Sequence, residues 1–483
     1  TAGLDLTRDY ANLLRRRLDR LEQQHVADNL ALAIKTQLEA ARVEQFRLEE
    51  FDAVLLPSEG VDSTLKKRRA ELLEELGAAV NDHLKALNEY FQTVDTTQAR
   101  ILAYQSLVRQ RLFWLPSTDP FNGESLTNLG GAIGRLADAD QWAQILSSIP
   151  ESARARPALI GAIALLLVVL IVIRARLKRR LIATGEDIGH VGRDRFRNTI
   201  AALGYSMIFV VPGTLALVLA ALLVSGAGEF GAALAKGLSD SAFLFLLLDT
   251  VSQVARPNGL GERHFKWRSS TLQATRHSVP RLLFILMPVA TLMPVLETVI
   301  GEAYRDSLGR LMFALASVAL SVFAHQVLRP GLTPTGHESP SRSRRVLYLA
   351  ATSVPLVLTG LSLIGYHYTA VQLEGTLFIT VCWVATVALF YYLGLRALSV
   401  RERRLALQRL REQRAAEQEH AAAQDAGDLA DEALPTALDM PDMDLHAISN
   451  QSNTLLRLIA GALIAAGLWL LWAKVFPAFQ VLD

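Results

Sequence analysis

From Pro157 onward, apolar stretches close to 20 residues long recur through the rest of the chain, and no other feature constrains the fold as much. A bilayer's hydrocarbon core is roughly 30 Å thick, about 20 residues of helix. A segment inside it must also close its own backbone hydrogen bonds, which a helix does. The stretches read as eight spans, at about 157–173, 201–224, 232–254, 279–299, 307–328, 346–365, 372–395 and 454–475. Residues 1–156 differ: 19 Lys+Arg stand against 23 Asp+Glu with no long apolar run, the balance of a region in water. The expected fold class is all-α, a polytopic membrane protein with eight transmembrane helices and an N-terminal helical bundle or coiled-coil region.

Orientation follows from charge, because Lys and Arg flanking a span stay on the cytoplasmic side. In "LLLVVLIVIRARLKRRL", Leu165 to Leu181, the apolar run stops at Ile173 and five basic residues follow within seven positions. With the N-terminal region outside, the inner segments 174–200, 255–281, 329–345 and 396–412 hold 24 Lys+Arg, whereas the short outer turns 225–231, 298–306 and 366–375 hold one, Arg305. Arg174, Arg176, Lys178, Arg179 and Arg180 are therefore expected to anchor at cytoplasmic lipid headgroups, as are Arg401, Arg403 and Arg404 beyond the seventh span. Eight spans return "FPAFQVLD", residues 476–483, to the compartment of the N-terminal region. Thr1 is not Met, and no signal sequence precedes the helical region, so a longer precursor is expected.

In the first 116 residues, Leu73, Leu76, Val80, Leu84, Leu87, Phe91 and Val94, then Ile101, Tyr104, Val108 and Leu112, step by three and four along one helical stripe. Asp95 with Gln98 matches a capping box and predicts a break or hairpin near "VDTTQ". An earlier helix is expected from Leu6 to Phe51, carrying Leu14, Leu18, Leu21 and Leu38, with "LLPSEG" (55–60) between the two. Such stripes are buried only against one another; an elongated spacer and a ligand-binding bundle both fit.

The helical pattern stops at "LFWLPSTDPF" (112–121). Leu126, Leu129, Ile133 and Leu136 then make a short amphipathic helix, and "DQWAQILSSIP" (140–150) another. Their spacing and Trp142 suit helices lying along the lipid surface, and a helix packed on protein fits as well. Residues 396–453 form the long inner segment. Its first part, "RALSVRERRLALQRLREQR", reads as a basic helix along anionic headgroups. The part after it, "DAGDLADEALPTALDMPDMD", holds seven acids and no base and reads as solvated linker.

Ionisable groups within spans are costly and often functional. The candidates are Asp249, Glu297, His325 and, at span edges, Lys236, Arg281 and Lys474. Asp249 and Glu297 lie near span ends, where local anchoring is the simpler role, and His325 is read as an interhelical hydrogen-bonder. No H-E-x-x-H pair, G-x-x-x-x-G-K-[ST] loop or G-x-S-x-G elbow occurs. The basic residues flank spans rather than forming a nucleic-acid surface. The expectation is no enzyme, no catalytic, cofactor or metal site, and no nucleic-acid partner. The single cysteine, Cys382, excludes a disulfide framework. Pro212, Pro288, Pro294 and Pro355 fall inside spans and are expected to kink them.

Three segments, in this order, carry a resemblance: "YQSLVRQRLFWLPST" (104–118), ending in an Arg-Leu-aromatic-Trp motif; "RERRLALQRLREQRAAE" (401–417) after the seventh span; and "LHAISNQSNTLLRL" (445–458) leading into "WLLWAKVFPAFQVLD". The layout resembles the large MscK-type (KefA-type) mechanosensitive channels of the MscS superfamily. The resemblance implies a homoheptamer in the bacterial inner (cytoplasmic) membrane, multi-pass, with its N-terminal region in the periplasm. It also implies membrane lipids and permeating ions as partners, and opening by tension during hypoosmotic shock. In that family a glycine- and alanine-patterned pore helix and a β-rich cytoplasmic domain follow; neither occurs before Asp483. No pore residue is therefore assigned, and the chain is expected to be the periplasmic and outer transmembrane tension-sensing part around the pore.

The expected divisions are 1–116, a periplasmic helical region; 117–156, interfacial amphipathic helices; 157–400, seven transmembrane helices; 401–453, a charged cytoplasmic linker; and 454–483, the eighth span. A secondary transporter of a small ion or solute is the alternative, and it requires convergent polar groups at mid-span. A third reading is a scaffold that gathers partners through its outer helices.

Overall fold

The structure is a computed structural model that describes residues 2–23, 26–54, 63–186, 188, 194–300, 307–329, 342–426, 445–473 and 475. Among the described residues every regular element is helical. The chain divides after Ser117 into two compact units.

The first unit holds α1 (Ala2–Gln23), α2 (Val26–Val54) and α3 (Ser63–Phe113). At 1.5 Å per residue α3 is about 77 Å long, and both shorter helices lie along it in the opposite direction. Gln45 donates to Asn81 at 3.3 Å, Arg17 to the Tyr104 hydroxyl at 3.1 Å and Arg111 to the Tyr10 hydroxyl at 3.4 Å. The seam between α2 and α3 buries Ile34, Leu38 and Leu87 with Phe91 and Val94 against them. The stripe continues through buried Leu14, Leu18, Val108 and Leu112.

One expectation is corrected here. No break occurs at Asp95: α3 runs through "VDTTQ", where the Thr93 and Thr96 hydroxyls each donate 2.8 Å bonds to carbonyls one turn back, Glu89 and Gln92. Threonine hydroxyls bonded back to the preceding turn are compatible with a continuing helix, and the stripe buried on both sides of Asp95 carries α3 through it. The helix expected from Leu6 to Phe51 is described as α1 and α2 on either side of residues 24–25, which lie outside the described residues, as does "LLPSEG".

In the second unit, α4 (Gly123–Leu136) and α5 (Ala139–Ala155) precede, among the described residues, eight helices long and apolar enough to cross a membrane. These are α6 (Pro157–Glu186), α7 (Phe196–Val224), α8 (Gly228–Val254), α9 (Ser269–Val295), α10 (Leu308–Leu328), α11 (Arg342–Ile364), α12 (His367–Ala426) and α13 (Leu445–Trp472). Each packs on the next in sequence. The spans alternate in direction, so the basic segments collect at one end of the helices, called here the basic end. In α6 the most apolar 18-residue window has a mean hydropathy of 2.9 and no buried residue. Apolar surface of that extent is covered by lipid or by another protein surface.

Close helix approach uses small residues. A methyl group at Gly237 on α8 would overlap the Thr291 carbonyl on α9, and one turn along Ser241 Oγ lies 2.7 Å from Thr291 Oγ1. Between α12 and α13, Trp383 lies against Gly467 and donates to the Leu463 carbonyl at 3.1 Å.

The opposite end is capped by residues 118–155. The Thr118 amide donates to the Gly365 carbonyl at 3.2 Å and the Phe121 amide to Leu363 at 2.9 Å. Gly365 has φ 123°, a conformation that only glycine adopts readily, with the Thr118 carbonyl too near for any Cβ. Asn122 and Ser125 form the capping box of α4. Ile145 of α5 is buried with Val224, Phe230 and Val295, and Trp142 stacks edge-on against Phe230. These helices therefore pack on protein along one face, while Leu126 and Leu146 stay exposed.

Pro212, Pro288, Pro294 and Pro355 all lie inside continuing helices, as do Pro150 and Pro280. Directly after Pro294, α9 passes into a π-helical turn, Leu296–Ile300, the local adjustment expected where a proline removes a helix donor.

Candidate functional site: a buried ion pair at the basic end

α12 is 60 residues long, and its apolar first half passes without interruption into a charged second half. The chain grips it at the crossover. Asp194, in the segment before α7, accepts from Arg396 at 2.5 Å and from Arg403 at 3.3 Å. Arg396 and Arg403 are seven residues apart, two turns of one helical face. The Asp194 and Arg396 side chains are 4% and 6% exposed, whereas Arg403 is 41% exposed. Val400 is buried between the two arginines.

The loop between α8 and α9 completes the joint. Asn258 (φ 55°) and Lys266 (φ 52°) both adopt left-handed backbone on either side of a π-helical turn, Leu260–His264. Asparagine tolerates this conformation; for lysine it costs about 1 kcal/mol or more. The strained loop is held by Glu262, which accepts from the Asn258 amide at 3.1 Å and from Arg276 at 2.8 Å. Arg276 also donates to the Ala255 carbonyl. The amide bond first and the Arg276 bond second hold the Glu262 carboxyl below its usual range.

The buried His264 ring places Nδ1 3.1 Å from Thr199 Oγ1 of α7. Burial, reinforced by the Arg396 guanidinium and opposed by Asp194, pushes the imidazole down to about 4, so it is neutral near pH 7. Phe265 and Trp267 pack on Tyr392 of α12 at 5.7 and 5.3 Å between ring centroids. Arg256 lies 4.4 Å over the Phe209 ring, and burial lowers its affinity for its proton. The joint therefore ties two connections to α12, the segment before α7 through the Asp194 carboxylate and the α8–α9 loop through an aromatic stack, while the neutral His264 ring holds that loop to α7. Beside it lies a cleft of about 480 Å³ lined by Arg195, Phe196, Arg197 and Arg404. Among the described residues no cluster of His, Cys, Asp or Glu could hold a metal ion.

The family model of the mechanosensitive ion channel inner membrane domain 1 matches residues 157–483, which includes all eight spans and the joint. The chain belongs to this mechanosensitive ion channel family. Over 489 aligned residues it is 24% identical to the mechanosensitive channel MscK of Escherichia coli (strain K12), covering 97% of this chain and 40% of that protein. It is also 24% identical over 384 residues to the miniconductance mechanosensitive channel MscM of the same organism, covering 77% of this chain and 34% of the relative. The chain thus spans well under half the length of either relative. The family and both relatives are mechanosensitive ion channels, not enzymes.

Within this mechanosensitive channel domain, the residues singled out by sequence separate into groups. Arg174, Arg176, Lys178, Arg179 and Arg180 are exposed on the tail of α6, and Arg401 is exposed on α12. Arg403 is paired with Asp194, and Arg404 lines the cleft. Asp249 accepts from Gln253 on its own helix at 3.0 Å. Lys236, Arg281 and Glu297 are exposed, and Lys474 lies outside the described residues. His325 makes the interhelical contact expected of it, 2.8 Å from the Tyr348 hydroxyl.

Sequence reasoning missed Asp194, Glu262 and His264, and it counted Arg396 only as one positive charge among many. It also missed Glu374, whose Oε2 accepts from Ser317 at 2.5 Å, and Arg310, whose side chain is fully buried. Arg310 lies near the start of α10, and Glu374 near the start of α12. For Arg310 and Glu374 the available signal was a charged residue inside an otherwise apolar stretch; Asp194, Glu262 and His264 lie in polar connections that carry no such signal.

Proposed function

We propose that this chain is the periplasmic and outer transmembrane part of a bacterial inner-membrane channel that is opened by membrane tension and passes ions during hypoosmotic shock. Residues 1–116 are its periplasmic helical region, 117–156 its interfacial helices, 157–400 seven spans, 401–453 a charged cytoplasmic linker and 454–483 the eighth span. The basic end faces the cytoplasm, with Arg174, Arg176, Lys178, Arg179, Arg180, Arg401 and Arg404 at lipid headgroups. The pore lies outside these residues, and the assembly is a homoheptamer. The observation that carries the reading is the family match across all eight spans; the positive-inside pattern and the lipid-facing α6 support it.

Tension favours the packing that occupies more membrane area, so a gate needs two packings that differ in footprint. Eight spans around each pore segment enlarge the rim on which tension acts. The kinked spans and the helices packed across one end shape the surrounding bilayer. The test is patch recording under suction of the whole channel with and without residues 1–400. A shifted threshold supports the role; an unchanged threshold and open lifetime reject it.

A further inference from the structure

Arg195 and Arg197 at the start of α7 converge with Arg404 of α12 on the cleft beside the Asp194 joint. Their neighbours Arg396 and Arg403 are committed to Asp194. The three that line the cleft are exposed, and no carboxylate or other hydrogen-bonding group among the described residues engages them. Three guanidinium groups gathered with no acid among the described residues that line the cleft repel one another, and an anion between them reverses the sign of that interaction. Their planar forks match the paired oxygens of a phosphate group, which accept two parallel bonds from each. Phe196 adds an apolar wall, and about 480 Å³ exceeds what a bare phosphate fills.

The geometry points to a phosphate-ester site at Arg195, Arg197 and Arg404, occupied by the headgroup of an anionic phospholipid or by a soluble phosphate compound. A ligand seated there bridges α7 and α12 and acts in parallel with the Asp194 pair. The lipid source rests on the reading that the basic end lies at the membrane surface; the phosphate chemistry does not.

The test is retention of a fluorescent phosphatidylglycerol by the purified full chain, competed with phosphatidylglycerol, phosphatidylcholine or inorganic phosphate. No tension is applied, so the result is independent of the gating experiment above. Phosphatidylglycerol should compete and phosphatidylcholine should not. R404Q should weaken retention about fivefold, and the triple variant R195Q/R197Q/R404Q by more than about tenfold. R268Q, at the same end but outside the cleft, should stay within about twofold. Displacement by millimolar inorganic phosphate assigns the site to soluble phosphates as well as lipid, and its failure to displace assigns the site to lipid. Wild-type retention in both R404Q and the triple variant overturns the proposal, as does equal competition by the two lipids with no effect of phosphate.

Discussion

Asp194 and Arg396 stand 202 positions apart in the chain and meet in a 2.5 Å ion pair with both side chains buried. A carboxylate removed from water so completely is tolerable only with its partner in place. The pair therefore fixes where α12 emerges from its apolar half, and through Arg403 it reaches two turns further.

Substituting one partner strands the other charge. D194A and R396A are each expected to lower stability by about 3–5 kcal/mol, and the double variant D194A/R396A by less than the sum of the two. Thermal unfolding of the detergent-solubilised protein measures this, and strictly additive losses would remove the pair from the account of the joint.

His264 makes stability depend on pH. Its folded pKa of about 4 lies below the ordinary 6.5, so between these values the unfolded chain takes up a proton that the folded chain refuses. The contribution is complete above pH 6.5 and is lost as pH falls toward 4, at most about 3 kcal/mol. Unfolding of H264Q should show a shallower decline from pH 7 to 4 than the wild type. Parallel curves would contradict the assignment.

Gly237 and Gly461 form a matched comparison. A methyl group at Gly237 meets the Thr291 backbone, whereas at Gly461 nothing lies within 4 Å. G237A must push α8 from α9, a loss of about 1–3 kcal/mol, while G461A is neutral or slightly stabilising. Paired melting temperatures decide it; equal effects would mean that the two helices do not approach so closely.

The bond between His325 and Tyr348 joins α10 to α11 by side chains alone. Y348F keeps the ring and removes the hydroxyl, which should cost about 1 kcal/mol. Denaturant midpoints in mixed micelles measure that loss.

The proposed orientation predicts labelling. In a C382S background, Ser225→Cys lies in an outer turn and should react with an impermeant maleimide in intact spheroplasts, whereas Arg401→Cys should react only after lysis. Reversed accessibility would invert the topology.

The spans, their basic flanks and the helical stripes of the first unit were all legible in the amino-acid order, because hydropathy over 20 residues and steps of three and four are local properties. Continuity of α3 through Asp95 was not legible: the cap signal is local too, and the burial of Leu84, Leu87, Val108 and Leu112 that overrides it comes from α1 and α2. Composition along the chain thus determined that this protein lives in lipid and which helix ends are basic. Only the tertiary structure decided that Asp194 takes Arg396 and Arg403 while Arg195, Arg197 and Arg404 are left to share a cleft. Charges of one kind look alike in a sequence, and their roles separate only when folding removes some of them from water and leaves the others in it.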